Sequence, residues 1–413
     1  MTTKALEKRL KAQLAERQTQ GTLKGRETVI CGVKAAQDNW GPRLYLEGQG
    51  EKEFLQMNSN SYLGLSRNRQ VIAAEEAAAA KFGTGPGGVR FISGTYQPHV
   101  QLEKRLASFH HRQSAMLCSA AYSTVMAVLP ALITTETIVI SDALNHNCII
   151  NAIKLSRPAA KQIYGHLDME DLEIKLQQAI GSGKRVIVVS DGIFSMRGDY
   201  APIDKLVATC QRYEQNFAEG IITIIDDSHG VGAFGQTGRG TEEYTDARVD
   251  LLIATLGKAM GVNGGYVTGN NTIIEYLRET APFYIYSNPI TPAEAAAACK
   301  SLDILDSPEG CALLKRVRTL TKRLETGLTD LGLEGIGGEH PIVPLLIRDT
   351  EKTALLVEYL FQNNILATGL KYPVVPRGDE EIRFQVSAGH TPKDIDFVLT
   401  VLQQWAITPP LTA

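Results

Sequence analysis

Asp226 and His229 stand where the apolar run IITIID gives way to glycine, inside IIDDSHGVGAFGQTGRG, residues 224–240. Open α/β sheets place ligands at the C-terminal ends of their strands, and a carboxylate there favours the protonated form of a nearby ring nitrogen. An imidazole three residues on can reach a phenolic oxygen of the same ring. Read alone, Asp226 and Asp227 equally cap a turn. ATLGKAMG, residues 254–261, sets Lys258 between Gly257 and Ala259 just past another apolar run, with Thr255 one turn earlier. Small neighbours give a lysine the close backbone approach that Schiff-base chemistry needs, and a threonine hydroxyl there can donate to a phosphate. A lone loop lysine is otherwise simply solvated. Taken together, an acid and an imidazole at one strand end and a lysine at a later one are the parts that pyridoxal phosphate requires.

Further candidates surround this set. LCSAAYSTVMAV, residues 117–128, reads as a short strand, small residues and a helix start. Ser119, Ala120 and Ala121 would present free backbone N–H groups to a phosphate, with Tyr122 covering or hydrogen-bonding the cofactor. His146 in SDALNHNCII can stack on an aromatic ring, or serve only the strand-to-helix turn. Arg383 in EIRFQVSAGH can grip a substrate carboxylate through its two-pronged guanidinium, or form a structural ion pair. Asn60 in NSNSYLGL is the last candidate. A rival reading takes Gly230-x-Gly232-x-x-Gly235 as a dinucleotide fingerprint. That motif needs a helix to begin inside it, and the polar loop QTGRGTEE follows instead.

The elements that must position these residues alternate. Strands are expected at Thr137–Ser141, Arg185–Ser190, Ile221–Ile225 and Leu251–Thr255, with a crossover helix from Ile203 to Phe217. Runs such as RVIVVS are apolar on both faces, as strands sandwiched between helical layers should be. The fold class is therefore α/β, a large unit with a mainly parallel sheet between helices. After about Pro292 the pattern changes to a smaller α+β unit. It has a long helical region from Ala293 to about Leu331 and a strand at Ile342–Ile347. A helix from Thr353 to about Asn363, a strand at Ile382–Val386 and a helix opened by Thr391 and Pro392 follow. The expected division is 1–57 as N-terminal helix and arm, 58–291 as the large unit and 292–413 as the small one.

The chain has 413 residues, 44% hydrophobic and 21% charged, with net charge −3. That length exceeds one small core, and the charge gives no reason to expect nucleic acid or an anionic membrane as partner. No stretch approaches a membrane span of about 20 apolar residues. Six scattered cysteines without a CxxC pair argue against a disulfide framework or a metal site and suit a reducing cytoplasm. Leu6, Leu10 and Leu14 predict an N-terminal amphipathic helix laid on the body or on a partner subunit.

NSNSYLGL, RFISGT, SDALNHNCII, DGIFSMRGDYAPI, IIDDSHGVGAFGQTGRG, ATLGKAMG, YIYSNPITP and YPVVPRGDEEIRFQVSAGHT follow one another as in the α-oxoamine synthases. The chain resembles that family, fold-type-I pyridoxal-phosphate-dependent acyltransferases, from about Asn58 to its end. The resemblance implies that Lys258 carries the cofactor, Asp226 pairs with its ring nitrogen, His229 meets its phenolic oxygen and His146 stacks on its face. Ser195 and Thr255 would contact ring and phosphate, and Ser119 to Tyr122 would form the phosphate loop. Ser287 and Asn288 would reach the cofactor phosphate across the interface of a homodimer. Arg383 would bind the substrate carboxylate, with Asn60 on the amino-acid side.

The implied reaction joins an amino acid to an acyl thioester, with glycine and acetyl-CoA as the leading pair. Other amino acids, longer acyl-CoA or acyl carrier protein donors are the alternatives, and aminotransfer is a more remote one. Ser61, where the family has Asn or Asp, and Gly389, where it has a second alanine, depart from the pattern. So do a shorter glycine stretch after Lys258 and the wording SAAYS. All four lie towards the substrate side.

Overall fold

The computed structural model describes residues 3–407 apart from 21, 24, 26 and 373. Pro373, in the YPVVP motif, thus lies outside the described residues. A hairpin of β1 (Ile30–Lys34) and β2 (Arg43–Leu46) precedes the short β3 (Leu55–Gln56). Seven strands then build the central sheet. They are β4 (Ser114–Cys118), β5 (Thr137–Asp142), β6 (Ala160–Tyr164), β7 (Arg185–Asp191), β8 (Ile221–Asp226), β9 (Leu251–Thr255) and β10 (Gly265–Gly269), in spatial order β4-β10-β9-β8-β7-β5-β6. From β6 to β9 all neighbours are parallel, while β10 runs antiparallel to both β9 and β4.

Stiff β-branched residues explain the four inner strands. Ile138, Ile140, Val186, Val188 and Ile225 pack into the core on one face. Val139, Ile187, Val189 and Ile224 pack into the core on the other. The expected strands at 137, 185, 221 and 251 are all present, each extended by at most one residue. Strand order reverses around β5, whose chain successors β6 and β7 lie on opposite sides of it. The crevice at such a switch point is where ligands bind in open sheets.

Several expectations need correction. The long helical region after Pro292 is divided into two helices, Pro292–Leu305 and Pro308–Asp330, because Ser307 caps the second and Pro308 opens it. Apolar periodicity runs through both and hides the break. The boundary between 291 and 292 moves as well. Ala295, Ala297, Ala298 and Leu302 of the first helix pack into the core of the large unit, and the small unit's core begins at Val317. That core, around β11 (Ile342–Leu346), β13 (Thr368–Leu370) and β14 (Glu381–Gln385), also takes in Leu55 and Met57. The reason is that β3 pairs in parallel with β12 (Ile365–Leu366). The helix Lys4–Thr19 forms but buries no residue, and Leu6, Leu10 and Leu14 stay exposed, so it lies on no part of the body. No helix among the described residues is long and apolar enough to cross a membrane.

Candidate active site

A cavity of about 230 Å³ opens outside the C-terminal ends of β5, β7, β8 and β9. Lys258, Asp226, His229, His146, Thr255, Ser195, Ala120, Ala121 and Tyr122 all line it, so nine of the expected residues converge. Cys148, Asp191, Ile193 and Ser228 complete the wall. Asp191 was legible by the same logic as Asp226: each ends a buried strand, and β7 and β8 bring the two side by side in register.

The two neighbouring aspartates 226 and 227 divide their work. Asp226 Oδ1 accepts from the backbone N–H (3.1 Å) and hydroxyl (2.5 Å) of Ser228, which leaves Oδ2 towards the cavity beside the Cys148 thiol. Asp227 is fully buried and accepts from the N–H and hydroxyl of Thr241, both at 2.7 Å. A side chain at Gly230 or Gly240 would fall 2.1 or 2.0 Å from its carboxylate oxygens. Those glycines therefore serve close packing around Asp227. The next helix begins only at Thr241, so the dinucleotide fingerprint does not apply.

Both imidazoles are held by specific partners. His229 Nδ1 lies 2.8 Å from the Tyr62 hydroxyl, which also approaches Asn60 Oδ1 at 3.2 Å. His340 Nε2 donates to the His229 carbonyl, so His229 is braced from two elements and only Nε2 is free to meet a ligand. His146 caps the helix Asn147–Leu155: its Nδ1 accepts from the Cys148 N–H at 3.2 Å, and its own N–H donates to Asp191 Oδ2 at 3.1 Å. A neutral His146 consequently carries its proton on Nε2.

Burial dominates the electrostatics. It lowers the pKa of Lys258, against the pull of Asp226 and Asp191. It pushes Asp191 well above the carboxylate range, helped by the Asp226 charge. It holds His229 well below the usual imidazole value, reinforced by Lys258, and lowers His146 likewise. An amine with a lowered pKa in a cleft with two acids marks a functional site.

The remaining expected residues fall differently. The Ala120 N–H donates to Ser123 Oγ, so the free donors of the helix Ala121–Leu132 start at Ala121. Ser119 turns its hydroxyl to Ser123 and stays outside the cavity wall. Thr255 Oγ1 donates to the Gly264 carbonyl and accepts from the Gly257 N–H. Arg383 Nη1 donates to the Ser195 carbonyl at 2.8 Å, while the Gln385 amide lies 2.5 Å from Asn60 Oδ1. Arg383 thus reaches the cavity's Ser195 wall from the small unit, while Asn60 sits beside Tyr62 in the large unit, and neither lines the cavity itself. Ser287 and Asn288, between the helices Pro282–Ile285 and Pro292–Leu305, do not reach this cavity within one chain.

The donor set fits pyridoxal phosphate. Free first-turn N–H groups at Ala121 and Tyr122 suit a phosphate. Asp226 Oδ2 suits a cationic ring nitrogen, His229 Nε2 a phenolic oxygen, and the Lys258 amine a carbonyl carbon. Asp191 Oδ1, buried and without a hydrogen-bond partner, is a polar atom that the cavity leaves unmatched. Among the described residues, no group of three or more metal-binding side chains competes with this reading.

Residues 52–402 match the family model for aminotransferase class I and II. Human mitochondrial 2-amino-3-ketobutyrate coenzyme A ligase is 37% identical over 395 residues, 94% of this chain and 92% of that protein. The 8-amino-7-oxononanoate synthase of Thermosipho melanesiensis is 35% identical over 377 residues, 91% of this chain and 92% of that one. Serine palmitoyltransferase from S. paucimobilis, solved with PLP bound, superposes with a TM-score of 0.85 at 25% identity, covering 96% of each chain. The chain belongs to the class I and II aminotransferase family, in the α-oxoamine synthase branch of pyridoxal-phosphate-dependent acyltransferases that these relatives share.

Proposed function

We propose that this chain joins glycine to acetyl-CoA, releasing the free thiol and forming a β-keto amino acid. The observation that carries this reading is the meeting of Lys258, Asp226, His229 and His146 around one cavity that a helix N-terminus also faces. Bound there, pyridoxal phosphate supplies the electron sink that makes a carbanion at the amino acid's α-carbon accessible.

The chain's own residues supply the rest. Lys258, with its pKa lowered by burial, is placed in the cavity to take the α-proton as general base. Asp226 Oδ2 keeps the ring nitrogen cationic. Arg383 holds the substrate carboxylate after releasing the Ser195 carbonyl, and its planar fork sets the amino acid's orientation. His146 Nε2 is placed to donate to the oxyanion that forms as the thioester carbonyl is attacked. Ser195 and Thr255 line the wall against ring and phosphate, and Asn60 closes the amino-acid side.

A panel of amino acids against acetyl-CoA, longer acyl-CoAs and acyl carrier protein thioesters, read by thiol release, tests the reading. Thiol release should be fastest with glycine and acetyl-CoA. Faster release with alanine or serine and a long acyl donor would replace that pair by another α-oxoamine synthase activity. Conversion of a keto acid without thiol release would make the enzyme an aminotransferase.

A further inference from the structure

A neutral imidazole carries one proton, on Nδ1 or on Nε2, and the bond made by one nitrogen decides the state of the other. Burial keeps His229 neutral, and Lys258, His340, Arg383 and His146 all oppose a charge on it as well. To donate from Nε2 to a ligand in the cavity, His229 must therefore find a donor for Nδ1.

Among the described residues, the side-chain group within hydrogen-bond reach of His229 Nδ1 is the Tyr62 hydroxyl, at 2.8 Å. Tyr62 is wholly buried, and burial pushes its phenol above the ordinary value, so the hydroxyl keeps its proton. That proton has a second acceptor in reach, Asn60 Oδ1 at 3.2 Å. Asn60 Oδ1 is already engaged by the Gln385 amide at 2.5 Å, which leaves the nearer imidazole nitrogen as the free acceptor.

The position of the hydroxyl is itself fixed. The Ala388 N–H donates to the Tyr62 carbonyl at 2.7 Å, and the Ser387 hydroxyl to the Ser61 carbonyl at 2.8 Å, so the small unit pins this loop. The Tyr62 ring packs edge-on against His340, with centroids 5.1 Å apart, and His340 Nε2 donates to the His229 carbonyl. Tyr62 thus holds the side chain of His229 while His340 holds its backbone. A phenylalanine would fill the same space without the cost of burying a hydroxyl, so the use of the hydroxyl is the bond it makes.

We propose that Tyr62 is a positioning residue for His229: its hydroxyl donates to Nδ1, fixes the ring proton on Nε2 and so aims a donor at the cofactor's phenolic oxygen. This rests on His229 being the group that meets that oxygen.

The test compares the parent, Tyr62→Phe and His229→Leu holoenzymes by nitrogen NMR of labelled histidine and by pH titration of the bound cofactor's visible absorbance. In the parent, the signal that His229→Leu lacks should show a bare Nδ1 and a protonated Nε2 across neutral pH. In Tyr62→Phe that signal should move as the two tautomers mix. Loss of the donor makes the phenolic oxygen more basic, so the midpoint of the absorbance titration should rise by roughly one pH unit in Tyr62→Phe, a tenfold change in proton affinity. A parent His229 protonated on Nδ1 would overturn the proposal, and so would a midpoint that Tyr62→Phe leaves in place while His229→Leu moves it. A midpoint unmoved in His229→Leu would instead overturn the place of His229 at the phenolic oxygen, on which the proposal rests.

Discussion

At the scale of single residues, the site is a problem of charge in little space. Lys258, Asp226 and Asp191 share one buried cavity with two imidazoles that burial keeps neutral. Asp226 is the acid braced by two bonds from Ser228, which leaves its Oδ2 to face a ring nitrogen. Replacing it by Asn keeps shape and removes charge. We expect Asp226→Asn to lower kcat by about 10²–10³, the usual cost of losing one preorganised electrostatic partner, with an unchanged unfolding temperature. Steady-state kinetics and thermal unfolding check it. The types of these residues were legible in the sequence, since a polar residue ending a run such as IITIID must emerge at a strand's C-terminal edge. Asp191 ends RVIVVSD in the same way. Tyr62 and His340 left no signal, because their partner His229 is 167 and 111 positions away along the chain.

At the scale of elements, the phosphate-facing helix depends on a charge cluster beneath β4. Glu103 is buried, paired with Arg90 at 2.6 Å and Arg278 at 2.9 Å, and it accepts from the Leu117 N–H within β4. Burial pushes this carboxyl up, but the two guanidinium groups outweigh it and hold its pKa below the ordinary value. Glu103→Gln strands the buried Arg90 and the half-buried Arg278, and we predict a loss of about 3 kcal/mol, measured by denaturant unfolding. The stability that the charge contributes is present above the ordinary carboxylate pKa and disappears as pH falls through the depressed one. The strands buried on both faces were readable because uniform apolar runs need no partner to be recognised. The two-residue strands β3 and β12 were not, since each exists only through the other across more than 300 intervening positions.

At the scale of the molecule, the large unit lines the cavity, Arg383 of the small unit bonds to its Ser195 wall, and one chain leaves part of the expected site unassigned. Phe91, Ile92 and Tyr286 are all more than 60% exposed, and Tyr286 directly precedes Ser287 and Asn288. We read this face as the contact with a second copy, whose cofactor phosphate Ser287 and Asn288 would reach. A two-fold interface then makes subunits complement one another. Ser287→Asp sets a charge against a phosphate, and Lys258→Ala removes the amine, so each variant alone should be inactive. Mixed and re-equilibrated, they should recover about a quarter of the parent rate, since half the dimers are mixed and each holds one intact site. No recovery despite mixed dimers would place each site within a single chain. The claim beneath all of this is that Lys258 carries the cofactor. Borohydride reduction of the protein loaded with pyridoxal phosphate, followed by peptide mass mapping, tests it directly. The account predicts a pyridoxyl adduct on the peptide containing Lys258 and none in Lys258→Ala. An adduct on another lysine in the parent, or its persistence in the variant, would contradict it.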